Sequence, residues 1–528
     1  MKTNYLYICI GLMIVLFSTS CEGFLDTLPD NRTQIDNEKK ITQLLVSAYP
    51  QANISTIAEL SSDNFVDNNA PNAQGKYFYL NSLREMDDQL FAWEPAFAST
   101  SQDSPSYLWE NCYTAIAAAN HALKAIEDLA GADTLLYRAQ KGEALLCRAY
   151  GHFLLVNIFS QTYKDETASA LDMGIPYATK PETVVRGEYT RGTVTDTYAK
   201  IQKDIEDGIE LINDEIYSIP KYHFNKKAAY AFAARFYLYK REYDKVLKYA
   251  NEVLGSNPAT LLRNWDKKYS SSSEIAYDYI DVNHPCNLMI LPTNSIYNRV
   301  YGTRYGHNGD AMNGSTYGSG PTWAGMIPAF LGKVYIRNSQ DYGVFLPKNN
   351  EMFEYTDKVA NIGLPHIVRA EFTAEETLLC RAEALVYLNR LPEAMADLES
   401  WNTSHLVTNR LTNTIIKSFY MPTNKLFVKK LNPTLISSNF TISADQEPYI
   451  HCVLHFRRIE TLFDGLRWFD LKRYGIEITH KIGRTRVENL LINDPRRAIQ
   501  IPQEVIGAGM EENPTINTNV SNTDVLAQ

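Results

Sequence analysis

The sequence is poor in the residues and motifs that carry strong chemistry. It has 7 Cys among 528 residues and no CxxC pair, so a zinc ribbon and a disulfide framework are both disfavoured. With Cys9 and Cys21 near the N-terminus set aside, Cys112, Cys147, Cys286, Cys380 and Cys452 remain, an odd number. Three of them fall on apolar helix faces and read as small buried hydrophobes. No run of Lys and Arg reaches the length of a phosphate-binding patch, and the net charge is −10. This argues against nucleic acid and anionic membrane surfaces as partners. G-x-S-x-G, Walker and dinucleotide-binding motifs are missing, and Gly302 and Gly306 lack a following Lys-Ser. His451 and His455 stand four apart, the spacing of a helical metal grip, but the Glu of HExxH is not there. Neither a metal nor a cofactor is expected.

What the chain has instead is aromatic surface and helical periodicity. Aromatics make up 12% of it, with 34 Tyr, and flat rings with polar edges suit sugars and peptides as well as cores. A hydrophobic content of 45% and a charged content of 21% are those of a globular protein. A short helix is predicted over 41–48, followed by a polar stretch from Asn53 to Asn81 that reads as surface loop. Leu108 to Leu129 repeats apolar residues at three and four and predicts a long helix with Trp109 in its core face. Leu145-Leu-Cys-Arg-Ala149 recurs as Leu378-Leu-Cys-Arg-Ala382, and an alanine-rich pair of helices spans 229–254 between them. Small residues in one helix and Tyr-x6-Ala or Glu-Ala in the next are what tetratricopeptide-like hairpins need for close packing. The expected fold is therefore mostly α, with helical hairpins over about 108–256 and 371–400, a few short strands and long irregular insertions. The largest insertion, about 257–370, is dense in Gly and Tyr, and most of it is predicted to be non-helical. Residues 401–447 read as mixed short elements.

Near the C-terminus, Phe456 to Gly475 alternates charges with large apolar residues. Read as one helix, it sets Glu460 beside Asp464, Asp464 beside Arg467, Arg467 beside Asp470 and Asp470 beside Arg473. Glu460, Asp464 and Asp470 are the obvious acids for a glycoside hydrolase, but their arginine neighbours make structural ion pairs the better account. The order Arg458, Glu460, Asp464-Gly465, Arg467-Trp468, Asp470-Leu471, Arg473 and Gly475 resembles the C-terminal signature of the SusD/RagB family. Phe456, Thr461 and Asp464 depart from it. Asn493-Asp-Pro-Arg496, Ile499-Gln-Ile-Pro-Gln503 and Asn513-Pro514 resemble that family's closing segment, which takes the signature region to 456–514. At the other end, Lys2 and the apolar run Tyr5–Phe17 precede Ser18-Thr-Ser-Cys21, which resembles a lipoprotein signal peptide over 1–20 with Cys21 as the lipidated residue. Cys21-Glu-Gly-Phe-Leu-Asp26 and Pro29 resemble the family's mature start, so 21–528 reads as a single SusD-like unit.

The resemblance implies an outer-membrane lipoprotein facing the cell exterior. It implies binding of an oligosaccharide, or of peptide as in the RagB branch, and delivery to a TonB-dependent, SusC-like transporter without catalysis. For the ligand, aromatics in irregular segments are the candidates: Trp93, Tyr297, Tyr301, Tyr305 and Trp323, with Asn298 and Arg304 as polar helpers. Trp93 and Trp323 stand out because few apolar residues flank them in sequence. The competing readings are a surface glycoside hydrolase and a periplasmic repeat adaptor with no small ligand.

Overall fold

A computed structural model describes residues 35–515, apart from 131–135, 183–188, 332, 334, 338, 339 and 341. The leader and Cys21 thus lie outside the described residues. Helices follow one another along most of the chain. α1 (Glu38–Leu45), α2 (Ser55–Ser61) and α3 (Glu85–Phe91) precede two long helices, α4 (Pro105–Ala130) and α5 (Arg138–Phe159). α6 (Val194–Leu211), α7 (Lys226–Lys240) and α8 (Tyr243–Leu254) come next. Beyond the loop-rich stretch lie α9 (Ala374–Tyr387), α10 (Leu391–Ser404), α11 (Glu447–Glu460) and α12 (Leu466–Arg473). From α4 to α10 each helix packs on its successor, and α9 also packs on α11.

The start and end of α7 are set by local chemistry. The side chain of Asn225 accepts from the Ala228 N–H at 3.0 Å, capping the first turn, and Arg241 ends the helix at φ 65°. Ala228, Ala229, Ala231, Ala233 and Ala234 are all buried, and side chains this small let neighbouring helices approach closely. The sequence repeat has a structural counterpart. Cys147 and Cys380 are both fully buried, and the arginine that follows each reaches an aspartate on the next helix with two hydrogen bonds. Arg148 donates to Asp204 at 2.7 and 2.7 Å, and Arg381 to Asp397 at 2.8 and 2.7 Å. Forked pairs of this kind fix the relative setting of two helices as well as their contact. The five cysteines of the described residues are free and buried.

The insertion expected to be irregular holds a three-stranded antiparallel sheet. β1 (Asn287–Asn294), β2 (Glu351–Asp357) and β3 (Ile362–Thr373) lie in the order β1-β3-β2, with Leu291 opposite Arg369 and Glu354 opposite Leu364. β1 shows no polar alternation because its first five residues are all buried, which removes the period-two signal. A hairpin, β4 (Ile478–Ile482) and β5 (Arg486–Leu490), follows α12, and a two-residue ladder joins Val66–Asp67 to Tyr305–Gly306. Among the described residues no helix is long and apolar enough to cross a membrane.

Two expectations need correction. The polar stretch after Asn53 does not begin as surface loop, since every residue of α2 is buried. Its polar groups are satisfied internally: Glu59 accepts from the Asn64 amide at 3.0 Å and from the Gly465 N–H at 3.1 Å. Nor is Phe456–Gly475 one helix. α11 stops at Glu460, and Gly465 precedes α12 at φ 81°, a left-handed conformation that breaks the helical register. The acids therefore find other partners. Glu460 accepts from the Trp401 indole at 2.7 Å, Asp464 pairs with Lys348 at 2.8 Å, and Arg467 reaches Asp63 at 2.8 and 2.9 Å. Only the Asp470–Arg473 pair forms as the helical spacing implied, at 2.7 Å, joined by Arg457 and by Glu383.

Candidate functional site

Each acid of the C-terminal segment has a cationic or hydrogen-bonding partner, and these partners are buried. A cavity of about 50 Å³ lies against them, walled by Arg235, Lys348, Glu371, Glu376, Glu460 and Asp464 among others. It has room for a few waters but not for a sugar ring. Asp470 is held below the usual carboxylate range because Arg457 and Arg473 outweigh its burial. Glu59 and Glu375 are pushed up to about 7, chiefly by burial, and both are sealed in the interior. A hydrolase acid must reach a glycosidic oxygen, and Glu59 and Glu375 are closed off from one.

The aromatic residues singled out in the sequence are mostly internal. Trp93 is 4% exposed, Trp323 6%, and Tyr297 and Tyr305 are buried as well. Trp323 packs on Phe456 and His455 and donates to the Gly318 carbonyl at 3.1 Å. Tyr297 lies between Phe65 and Phe463. Lack of apolar neighbours in sequence did not leave the two tryptophans exposed, because distant segments supply them. Asn298 and Tyr301 are half-buried, and Tyr301 packs on Phe345.

Three of the candidates do come together. Trp93 stacks on His480 at 4.1 Å, His480 on Phe91 at 4.0 Å, and Phe91 on Tyr305 at 4.4 Å, forming a column of four rings. The Trp93 indole donates to the Ser61 carbonyl at 2.9 Å, and the imidazole of His480 bridges the Phe91 and Ser62 carbonyls. The Tyr305 hydroxyl donates to Asp88 at 2.7 Å, and Arg304 grips both Asp88 at 2.9 Å and Asp67 at 2.8 Å. Asp67 also accepts from the Gly483 N–H at 2.8 Å, at the turn between β4 and β5. One arginine thus ties three chain segments together.

Above this base lies a surface cluster that the sequence reading passed over. Tyr79 is 77% exposed, and its ring meets that of Tyr77 at 5.4 Å and 76°. The Arg484 guanidinium sits over both rings, at 5.2 Å from Tyr77 and 5.7 Å from Tyr79. Next to it, Phe78 packs edge-on against Tyr342. The signal in the sequence was Tyr77-Phe-Tyr79 inside a polar stretch. Its partner Arg484 lies 405 residues beyond Tyr79 and had no local mark.

Chemically, the exposed Tyr79 ring beside the Arg484 guanidinium can stack on a sugar and orient its hydroxyls.

Residues 23–238 match a SusD-like family model described as starch-binding, associating with the outer membrane. No protein of curated function matches the chain. Among solved structures, a SusD superfamily protein from Bacteroides thetaiotaomicron superposes with a TM-score of 0.61 at 18% identity, covering 90% of this chain and 99% of that one. A protein from Bacteroides vulgatus described as a putative sugar binding protein gives 0.60 at 18%, covering 92% and 99%. A SusD superfamily protein from Bacteroides fragilis gives 0.59 at 18%, covering 90% and 99%. At such identities the likeness establishes the fold.

Proposed function

From the premise that this is a SusD-like protein, we propose that it binds a carbohydrate at the cell surface and acts by binding rather than by catalysis. The observation that carries this reading is the Tyr77–Tyr79–Arg484 cluster, in which an exposed Tyr79 meets a half-buried Tyr77 under one guanidinium. A sugar ring stacks on Tyr79 while Arg484 and its neighbours hydrogen-bond the hydroxyls. The paired, enclosed state of the interior acids supports the absence of hydrolysis. The family description supports the location, and the lipobox-like Ser18-Thr-Ser-Cys21 supports lipid anchoring of a single unit, 21–528, on the outer face of the outer membrane. Delivery to a TonB-dependent, SusC-like transporter completes the reading, on the strength of the family resemblance. Asn298 and Tyr301, being half-buried, stay within it as secondary contacts.

Isothermal titration against a panel of oligosaccharides and peptides tests the ligand. A glycan is expected to bind, and Tyr79→Ala to weaken it by about 1 to 3 kcal/mol, the scale set by alanine substitution of an aromatic stacking on a planar ring. Peptide binding with no glycan binding would move the ligand class to that of the RagB branch. Release of reducing ends from bound glycan would overturn the binding-only reading. Loss of membrane association in Cys21→Ser, and recovery of the transporter with the wild-type chain from detergent extracts, check the anchor and the partner.

A further inference from the structure

The outer end of the β2–β3 hairpin lacks a third strand. β1 stops at Asn294, opposite His366, so β2 beyond Met352 pairs with β3 alone. Two strands by themselves are only marginally stable in water. This arm nevertheless leaves Phe353 47% and Tyr355 49% exposed, their rings 4.9 Å apart and edge to face, with Val359, Ile362 and Leu364 exposed around them. β2 is also an edge strand, since the sheet runs β1-β3-β2. We infer that this edge is a docking site for an extended, positively charged segment of a partner protein, which joins the sheet as a fourth strand.

The register fixes which backbone groups are open. Pro365 turns its carbonyl toward β1, where the Ser295 N–H donates to it at 3.2 Å, and as a proline it has no N–H to offer β2. Phe353, directly opposite Pro365, therefore occupies a non-hydrogen-bonded position, and so does Tyr355 two residues further on, opposite Gly363. Bonding across the hairpin falls to the alternate pairs, Met352 with His366 and Glu354 with Leu364. The N–H and C=O groups of Phe353 and Tyr355 consequently point out of the sheet edge, and among the described residues no other backbone group meets them. Open donors and acceptors at two alternate residues are the template on which a further strand pairs.

The charges select the occupant. β2 reads Glu351-Met-Phe-Glu-Tyr-Thr-Asp357, three acids and no base, and Lys358 in the turn is the arm's one cation. Arg299 grips Glu351 with hydrogen bonds of 2.8 and 2.8 Å. Glu354 is exposed and has no ion-pair partner among the described residues, while Asp357 accepts from the Val359 and Ala360 N–H groups of the turn. Pairing two copies of β2 over its whole length would set Glu354 against Glu354 and Glu351 against Asp357, and like charges directly opposite destabilise a sheet. Acids on an edge thus discourage pairing with the chain's own kind and leave it open to a strand of opposite charge. A segment that alternates basic and apolar residues satisfies both faces. Its apolar side chains cover Phe353 and Tyr355, and its bases meet Glu354 on the other side. The inference stands independently of the carbohydrate reading.

The test combines isothermal titration and amide hydrogen exchange on the full chain. The probe is a capped peptide of four Lys-Val repeats, with its all-D form and a Glu-Val peptide as controls. Saturable binding of the Lys-Val peptide is expected, with exchange at the Phe353 and Tyr355 amides slowed about tenfold. Phe353→Ala keeps the outward N–H, whereas Phe353→Pro removes it and spares the bonds to β3. The proline variant should therefore bind about fivefold more weakly than the alanine one, the worth of one backbone hydrogen bond. Glu354→Gln should weaken binding about threefold. No binding of the Lys-Val peptide, equal binding of either control, unchanged exchange at the two amides, or equal affinity in the two Phe353 variants would overturn the proposal. So would protection of those amides without peptide at high protein concentration, which would give the edge to a second copy. Protection by a neutral oligosaccharide would likewise overturn it and give the ring pair to a glycan.

Discussion

Gly465→Ala probes the joint between α11 and α12 more sharply than any charge substitution. The residue adopts φ 81°, where an L side chain costs about 1 to 2 kcal/mol. An added Cβ would also meet Ala58 Cβ at 2.9 Å and Ser55 Cα at 3.2 Å, both on α2. Neither is the tip of a flexible side chain, so α2 or the joint has to move, and overpacking of this kind costs about 1 to 3 kcal/mol. The two terms give a loss of about 2 to 5 kcal/mol. Gly75 supplies the control, with φ 77° and nothing within 4 Å of its Cβ position. Gly75→Ala should therefore lose about 1 to 2 kcal/mol, from the backbone alone. Guanidinium unfolding followed by tryptophan fluorescence reads both, since Trp468 lies buried in α12. Equal midpoints for the two variants at equal slope would refute the packing argument and leave the joint as an ordinary turn.

Trp323→Ala is expected to lower stability by about 3 to 5 kcal/mol, as for other buried aromatics, and the same unfolding assay checks it. Unchanged stability with lost glycan affinity would instead restore Trp323 to the ligand surface. Glu59 makes stability depend on pH. Its folded pKa, about 7, lies above the ordinary 4.5, so the folded state holds the proton more tightly than the unfolded one. Its contribution is therefore complete below about 4.5 and lost as pH rises through about 7. Unfolding free energy should fall by about 2 to 3 kcal/mol from about pH 5 to about pH 8, and Glu59→Gln should flatten that slope. A parallel profile in the variant would show that other groups control it.

The helices were legible because their signals are local. The repeat at Leu145 and Leu378, the alanines of α7 and the long period through Leu108–Leu129 each state a helix and its buried face within a few turns. The family likeness was legible for a similar reason, since the signature occupies one short stretch. The sheet was less so. β1 is buried on both faces and loses the alternation that marks a strand, while Pro285 and Pro292 suggest loop.

Partners across the chain could not be read at all. Spacing offered Asp464 to Arg467, but a single left-handed glycine sent Arg467 to Asp63 and Asp464 to Lys348. Sequence context pointed Trp93 and Trp323 toward the surface, and tertiary packing instead supplied His480, Phe456 and His455. By itself the sequence determined a helical chain with a known C-terminal signature, because periodicity and motif are properties of neighbouring residues. The tertiary structure alone decided which rings face water and which charges pair, because burial and charge balance sum over segments hundreds of residues apart.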